Sequence, residues 1–324
     1  MSGVITLFIS TVLIQKTFQT TLKQSDVDLK IMSFNVWGMP EIWGSTYKEE
    51  RINGIAREIS RGVFDVYLLQ ELWMEKDYYE IASSIPNGYF ITGFRQLSAS
   101  KSESESYCDG SYSPKGCSGL TIMSKYPFKE VQFDVFSERG NRTKIFIDGE
   151  VIVRKGVGRV KIEPFPNLIV DLFTTHLAAD PNARFGYNNS YYREKQVNQL
   201  LEKEVFLSSS DLVVVGGDFN LFPMKNENSI YQTIRKEMND SADGLDYRSK
   251  EDLSTYANPS NTFSDGNYSP MVLDYIFSRI NHPRKIDAWT SSYNLPNYKT
   301  FLGNSTISLS DHEAITTTIS IRVL

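Results

Sequence analysis

"DLVVVGGDFNLFP", residues 211–223, sets an apolar run, Leu212 to Val215, directly against two glycines, an acid and an amide. A short apolar run closed by such a cluster reads as a buried strand that stops at a turn. Without a Cβ, the glycines let the backbone turn and be approached closely. Asp218 and Asn220 alternate, which on an extended backbone sends both side chains to one face. The strand thus delivers polar groups to a single point at its end.

The same layout recurs along the chain. "LKIMSFNVWG" (29–38) reads as a strand ending at Asn35, and "STYKEERINGIAREISRG" (45–62) has helical spacing with Gly62 as its stop. "VFDVYLLQELW" (63–73) is a second apolar strand, ending at Glu71, and "NLIVDLFTTHL" (167–177) is another, ending in His176. "TKIFIDGEVIV" (143–153) and "GRVKIEP" (158–164) alternate as strands do. Helical spacing returns in "SYYREKQVNQLLEKEVF" (190–206) and "SIYQTIRKEM" (229–238), before the strands "VLDYIFSR" (272–279) and "SDHEAITTTISIRV" (310–323). Strands and helices alternate early and later strands are separated by loops. With no linker of domain-separating composition, the chain is expected to form one α/β domain with mixed sheets packed face to face.

Asn35, Glu71, His176, Asp218 with Asn220, and Asp311 with His312 all stand where an apolar strand gives way to a loop, the place where α/β proteins bind ligands. Carboxylates, amides and imidazoles without a cysteine suit a hard cation such as Mg²⁺. Such a cation polarises a phosphoryl oxygen while a histidine moves a proton. Singly, each residue has a duller reading: Glu71 as a solvated acid, His176 as a satisfied core histidine, Asp218 and Asn220 as turn caps. Seven such groups at strand ends are hard to obtain without a shared site. Asp274, an acid inside "VLDYIF", must find a partner if buried, and His312 is a suitable one. His282, beside Pro283 in a turn, is assigned no role.

Composition bounds the partners. Of the 324 residues, 40% are apolar and 13% aromatic, as in an ordinary globular protein. A net charge of -5 and a pI near 5.4 give no basic footprint for a phosphate backbone, which counts against a nucleic-acid partner. The apolar stretch Val4 to Ile14 is long enough for a signal-peptide core and too short to span a bilayer. Residues 1–24 are accordingly expected to be a signal peptide with a short N-terminal segment, and 25–324 the functional domain of a secreted protein; a buried first helix is the alternative. Cys108 and Cys117 enclose "DGSYSPKG", a loop that would close a local disulfide in an oxidising compartment, two free thiols being the other reading. Sequons at Asn141, Asn188, Asn239, Asn267 and Asn304 fit secretion but arise easily by chance.

In this order, "SFNVWG", "LLQELW", "TTHL", "GGDFN", "LDYIF" and "LSDHEA" resemble the successive motifs of the endonuclease/exonuclease/phosphatase superfamily. These are metal-dependent phosphoesterases with a DNase I-like, four-layer α/β sandwich, in which two mixed β-sheets pack face to face with helices outside. Within the superfamily the chain is most similar to the neutral sphingomyelinases. "FNVWG", "CSGLTIMSKYPF", "RKGVG" and "LSDHEAI" carry that likeness.

The resemblance implies a phospholipase C-type phosphodiesterase that hydrolyses sphingomyelin to ceramide and phosphocholine at a membrane surface, without nucleic acid or an obligate protein partner. It implies Glu71 as the principal Mg²⁺ ligand, with Asn35 beside it and Asp311 completing the site, and with Mn²⁺ or Co²⁺ as substitutes. His312 would be the general base on water, oriented by Asp274, and Asp218 would position the water or share in taking its proton. His176 and Asn220 would stabilise the phosphoryl oxygens, with His176 a candidate acid toward the leaving oxygen. Lys155 is carried over as a substrate-binding residue; Glu150 stands where relatives have the aspartate of a lysine switch, so the switch is not carried over. Tyr298 and Phe301, in "WTSSYNLPNYKTFLGN", are the expected membrane-contacting aromatics. A DNase I-like endonuclease on the same fold and a non-catalytic secreted binding protein are the competing readings.

Overall fold

The computed structural model describes residues 26–93, 118–141, 150, 153–180, 188–223, 228–243, 254–264 and 269–324. The expected signal segment, most of the strand expected at 143–153, and both Cys108 and Cys117 lie outside these residues. Among the described residues no helix is long and apolar enough to cross a membrane.

Two six-stranded mixed sheets make the two inner layers. In the first, β1 (Asp26–Asn35) lies between β14 (Ile315–Val323) and β2 (Val66–Gln70); β11 (Ile286–Asn294) flanks β14, and β4 (Thr121–Ser124) and β3 (Phe90–Ile91) follow β2. In the second, the order is β5 (Glu130–Val135), β6 (Gly156–Phe165), β7 (Leu168–His176), β8 (Leu212–Asp218), β10 (Asp274–Ile280) and β9 (Asn239–Asp240). A separate hairpin is formed by β12 (Lys299–Leu302) and β13 (Ser305–Ser308).

Each sheet holds one parallel pair, β1 with β2 and β7 with β8. A parallel pair needs a crossover, here α1 (Lys48–Ser60) in the first sheet and, in the second, α3 (Ser190–Gln199), prolonged by a wider turn over Leu200–Val205. The crossover brings both strands of a pair to an end on the same edge. Asn35 and Glu71 therefore end together, and so do His176 and Asp218.

Side-chain alternation assigns the layers. Leu29 and Ile31, Val66 and Leu68, Val170 and Leu172, Leu212 and Val214, with Ile276, meet between the sheets. The intervening residues face outward: Met32, Phe34, Tyr67 and Leu69 pack under Ile52, Ile55 and Ile59 of α1 and Tyr78 and Ile81 of α2 (Glu75–Ser83). Val213, Val215, Phe173 and Phe277 pack against α3 and α4 (Asn228–Arg235). Each such aliphatic contributes roughly 1.5–3 kcal/mol by leaving water. The result is the expected four-layer α/β sandwich.

The inter-sheet parity decides where the polar residues go. Continuing each row upward from its apolar members gives Asn35 in β1, His176 in β7, Asp218 in β8 and Asp274 in β10. Gly217 is required in this frame because a Cβ there would collide with the Thr175 carbonyl of the neighbouring strand.

Candidate active site

Register alone sets three of the polar residues side by side, since His176 pairs with Asp218 across β7 and β8, and Asp218 with Asp274 across β8 and β10. Asn35 reaches them from the opposite sheet. Its Nδ2 donates to Glu71 Oε1 at 3.1 Å and to Asp218 Oδ2 at 3.0 Å, so one amide joins the two layers.

Glu71 follows β2 with φ of 60°, a left-handed conformation uncommon outside glycine. Continued extension would have given Glu71 the outward parity of Tyr67 and Leu69; the left-handed turn breaks that alternation. Gly38 fixes the turn: its N–H donates to Glu71 O at 3.1 Å, and a Cβ there would strike that oxygen.

His312 lies in the loop before β14, where its Nδ1 meets Asp274 Oδ2 at 2.8 Å and its Nε2 stands 3.8 Å from Asp218 Oδ2. Ser310 sets this loop, with Oγ donating to Asn35 O at 2.7 Å and accepting from His312 N at 3.2 Å. The Tyr256 ring packs 5.1 Å from the imidazole, and Thr255 O accepts from Glu313 N. His176 Nε2 stands 3.5 Å from Asp218 Oδ2 and 4.0 Å from Glu71 Oε1.

The electrostatics follow from burial. Desolvation, then the charge of Asp274, pushes Asp218 up to about 7. Desolvation also raises Asp311 to about 6, with Glu71 adding to it. His176 is driven well below the usual imidazole range by burial and then by Lys155, so it is neutral at pH 7. Burial opposes charge on His312 too, but Asp274 and Asp218 outweigh it and raise its pKa well above the ordinary value. His312, expected as the general base, therefore favours its protonated form, because two acids face it.

Two groups of donors lie close enough to hold a cation: Glu71, His176 and Asp218, and Asp218, Asp274 and His312. Asp311 joins neither. The fit to a hard divalent cation rests on Glu71 Oε2, a buried carboxylate oxygen without a hydrogen-bond partner, set among further oxygen donors. Asn35, as oriented, turns its NH₂ toward the carboxylates while Oδ1 accepts from Trp37 N, so ligation would require the amide to turn over.

Other expectations are placed differently. Asn220 leaves the strand with φ of 48°, so the alternation that was to align it with Asp218 does not extend to it; its Nδ2 donates to Leu177 O. Lys155 is buried, its Nζ on Glu150 Oε1 at 2.8 Å and on that same Leu177 carbonyl at 3.0 Å. Glu150 therefore does pair with the lysine, which bears on the site through its charge and through the residue that follows His176. Tyr298 is packed against the core under α1, whereas Phe301 is 79% exposed. His282 binds Asp211 with Nδ1 at 3.0 Å, away from these groups. Ser310, Tyr256 and Trp73, the last with its ring 6.2 Å from His176, were not singled out from sequence. Only Ser310 had a signal, its position immediately before Asp311 and His312.

The fold is a two-sheet α/β sandwich, and its strand ends gather acids and imidazoles close enough to hold a cation. The chain belongs to the Endonuclease/Exonuclease/phosphatase family, whose sequence profile matches residues 32–312. It is 27% identical over 200 residues to an inositol phosphosphingolipids phospholipase C of Schizosaccharomyces pombe, covering 61% of this chain and 42% of that one. It is 26% identical over 299 residues to a Drosophila melanogaster protein provisionally named neutral sphingomyelinase, covering 89% and 60%. The chain thus spans less than two thirds of the length of these relatives. Among solved structures, a Staphylococcus aureus beta toxin variant with bound magnesium ions is similar at a TM-score of 0.64 and 21% identity, covering 90% of this chain and 99% of that one. TDP2 of D. rerio, complexed with a single-strand DNA product, shares the fold at a TM-score of 0.63 and 18% identity, covering 90% and 98%.

Proposed function

We propose that the chain is a Mg²⁺-dependent phosphodiesterase that hydrolyses sphingomyelin to ceramide and phosphocholine. The observation that carries the reading is the His312–Asp274 pair standing across Asp218 from Glu71, a proton acceptor set opposite an oxygen-rich cation site. Glu71 would hold the cation, with Asn35 once its amide turns over; Asp311, outside both donor groups, would add its charge nearby. When bound, the cation would polarise a phosphoryl oxygen.

Asp218 and His312 face each other in a buried site and hold a proton between them near neutral pH, so they titrate as a pair. Water attack requires that proton to be gone, after which Asp218 or His312 can accept one from water. Asp274 holds the imidazole with Nε2 toward Asp218. His176, being neutral, serves as a hydrogen-bond donor to a phosphoryl oxygen rather than as an acid. Asn220 and Lys155 meet at the Leu177 carbonyl and so position His176. Secretion remains part of the proposal on the strength of the Val4 to Ile14 stretch.

The names of the two relatives support a phosphosphingolipid substrate, and the acidic composition favours a zwitterionic lipid over nucleic acid. Purified protein incubated with sphingomyelin vesicles, inositol phosphosphingolipid vesicles and plasmid DNA, with Mg²⁺ or EDTA, tests the reading. Phosphocholine release that EDTA abolishes is expected; inositol phosphate release in its place, or DNA nicking at a comparable rate, would replace it.

A further inference from the structure

Arg51 is a buried cation without a carboxylate contact among the described residues. It sits in the first turns of α1 with no exposed surface. Its Nε donates to Thr46 O at 2.8 Å, Nη1 to Val36 O at 3.0 Å and Leu309 O at 3.2 Å, and Nη2 to Trp37 O at 2.9 Å. The guanidinium lies 4.5 Å over the Trp37 ring, with Phe263 beyond at 5.8 Å. Every one of these oxygens is a neutral carbonyl. The charges acting most strongly on Arg51 are Asp311 and then Glu71, neither of which it touches.

The identity of those carbonyls is what matters. Val36 and Trp37 follow Asn35 directly, and Leu309 stands immediately before Ser310, Asp311 and His312. One rigid planar fork therefore grips both segments, a geometry that a lysine ammonium cannot reproduce. From the other side the Ser310 hydroxyl closes the same gap onto Asn35 O. Two segments far apart in sequence, each carrying part of the site, are spaced by Arg51 and Ser310 acting together. A cation that served stability alone would not need its carbonyls drawn from these two segments.

We propose that Arg51 is a positioning residue: its guanidinium sets the distance between the strand end carrying Asn35 and the loop carrying Asp311 and His312. The inference rests on the function proposed above. It predicts that loosening the fork degrades cation binding and turnover together while leaving substrate affinity alone.

The test uses the full chain with Arg51→Lys, Ser310→Ala and the double variant. Calorimetry with Mg²⁺ alone measures cation affinity, circular dichroism reports folding, and a soluble phosphocholine ester gives kcat and KM. Arg51→Lys is expected to stay folded and to lose about tenfold in Mg²⁺ affinity and in kcat, with KM within about twofold of wild type. Its effect should be non-additive with that of Ser310→Ala, because both hold the same gap. A folded Arg51→Lys chain with wild-type Mg²⁺ affinity and kcat, or strictly additive effects, would overturn the proposal. Should Arg51→Lys not fold, Ser310→Ala decides alone, and unchanged Mg²⁺ affinity there would overturn it. Wild-type protein that takes up no Mg²⁺ would instead sink the functional reading, and this inference with it.

Discussion

His312 Nδ1 lies 2.8 Å from Asp274 Oδ2, a contact between a loop of one sheet and the first residue of a strand in the other. Asp274 both fixes the ring and holds its proton. Asp274→Asn is expected to lower kcat by roughly 10²–10⁴-fold. Asp274 raises the His312 pKa, so removing it should also move the acidic limb of kcat/KM to lower pH. A pH–rate profile measured on the soluble ester checks both, and an unmoved limb would count against His312 as the titrating group.

Asp218→Asn should abolish turnover without harming the fold. The wild-type carboxyl is raised from an unfolded value near about 3.9 to about 7, so its ionisation disfavours the folded state. Stability from this group is fully present below the unfolded pKa and is lost as pH rises toward the folded one. The variant should therefore match wild type near pH 4 and gain in Tm relative to it toward pH 7. A variant that unfolds at both would return Asp218 to a structural role.

Removing the carboxylate charge of Glu71 should be felt first in cation binding. Glu71→Gln is expected to weaken Mg²⁺ affinity by at least about tenfold, read by calorimetry without substrate. EDTA should silence wild-type hydrolysis, and Mg²⁺ should restore it.

The two aromatics near the hairpin separate into different classes. Phe301, exposed on β12, should when changed to Ala lose activity on vesicles and keep it on the soluble ester. Tyr298, packed under α1 and raised by burial to about 12, should when changed to Ala lose roughly 1–3 kcal/mol of stability. Vesicle and ester rates measured beside Tm separate the two, and equal loss on both substrates for Phe301→Ala would end its adsorption role.

Gly217→Ala places a methyl group against the Thr175 carbonyl one pair from the end of the β7–β8 ladder. Backbone cannot yield as a flexible side chain can, so a loss of roughly 1–3 kcal/mol or more is expected. Chemical denaturation gives the value directly, and a neutral result would mean that the strands have room to separate.

Much of this molecule was legible in its sequence. Apolar runs giving way to polar residues named β1, β2, β7 and β8, an apolar run with an acid inside it named β10, and helical spacing named α1, α3 and α4. The short α2 at Glu75–Ser83 and the β12–β13 hairpin went unnoticed, α2 because its two buried apolar residues, Tyr78 and Ile81, make a weak period, and the hairpin because its four-residue strands are too short to carry a clear alternation.

By itself the sequence determined which residues stand at strand ends and that their inventory of oxygens and imidazoles suits phosphoester chemistry, because alternation and chain breaks are local properties of the backbone. Only the tertiary structure decided who meets whom. Strand register set His176, Asp218 and Asp274 in one row, a left-handed Glu71 broke the alternation that would have turned it outward, and Asn220 was turned aside to a carbonyl. The same packing placed a protonated His312 between two acids and spaced its loop from Asn35 with a buried arginine. Distances and desolvation arise between segments remote in sequence, and they fix which of the inventoried groups can share a proton or a cation.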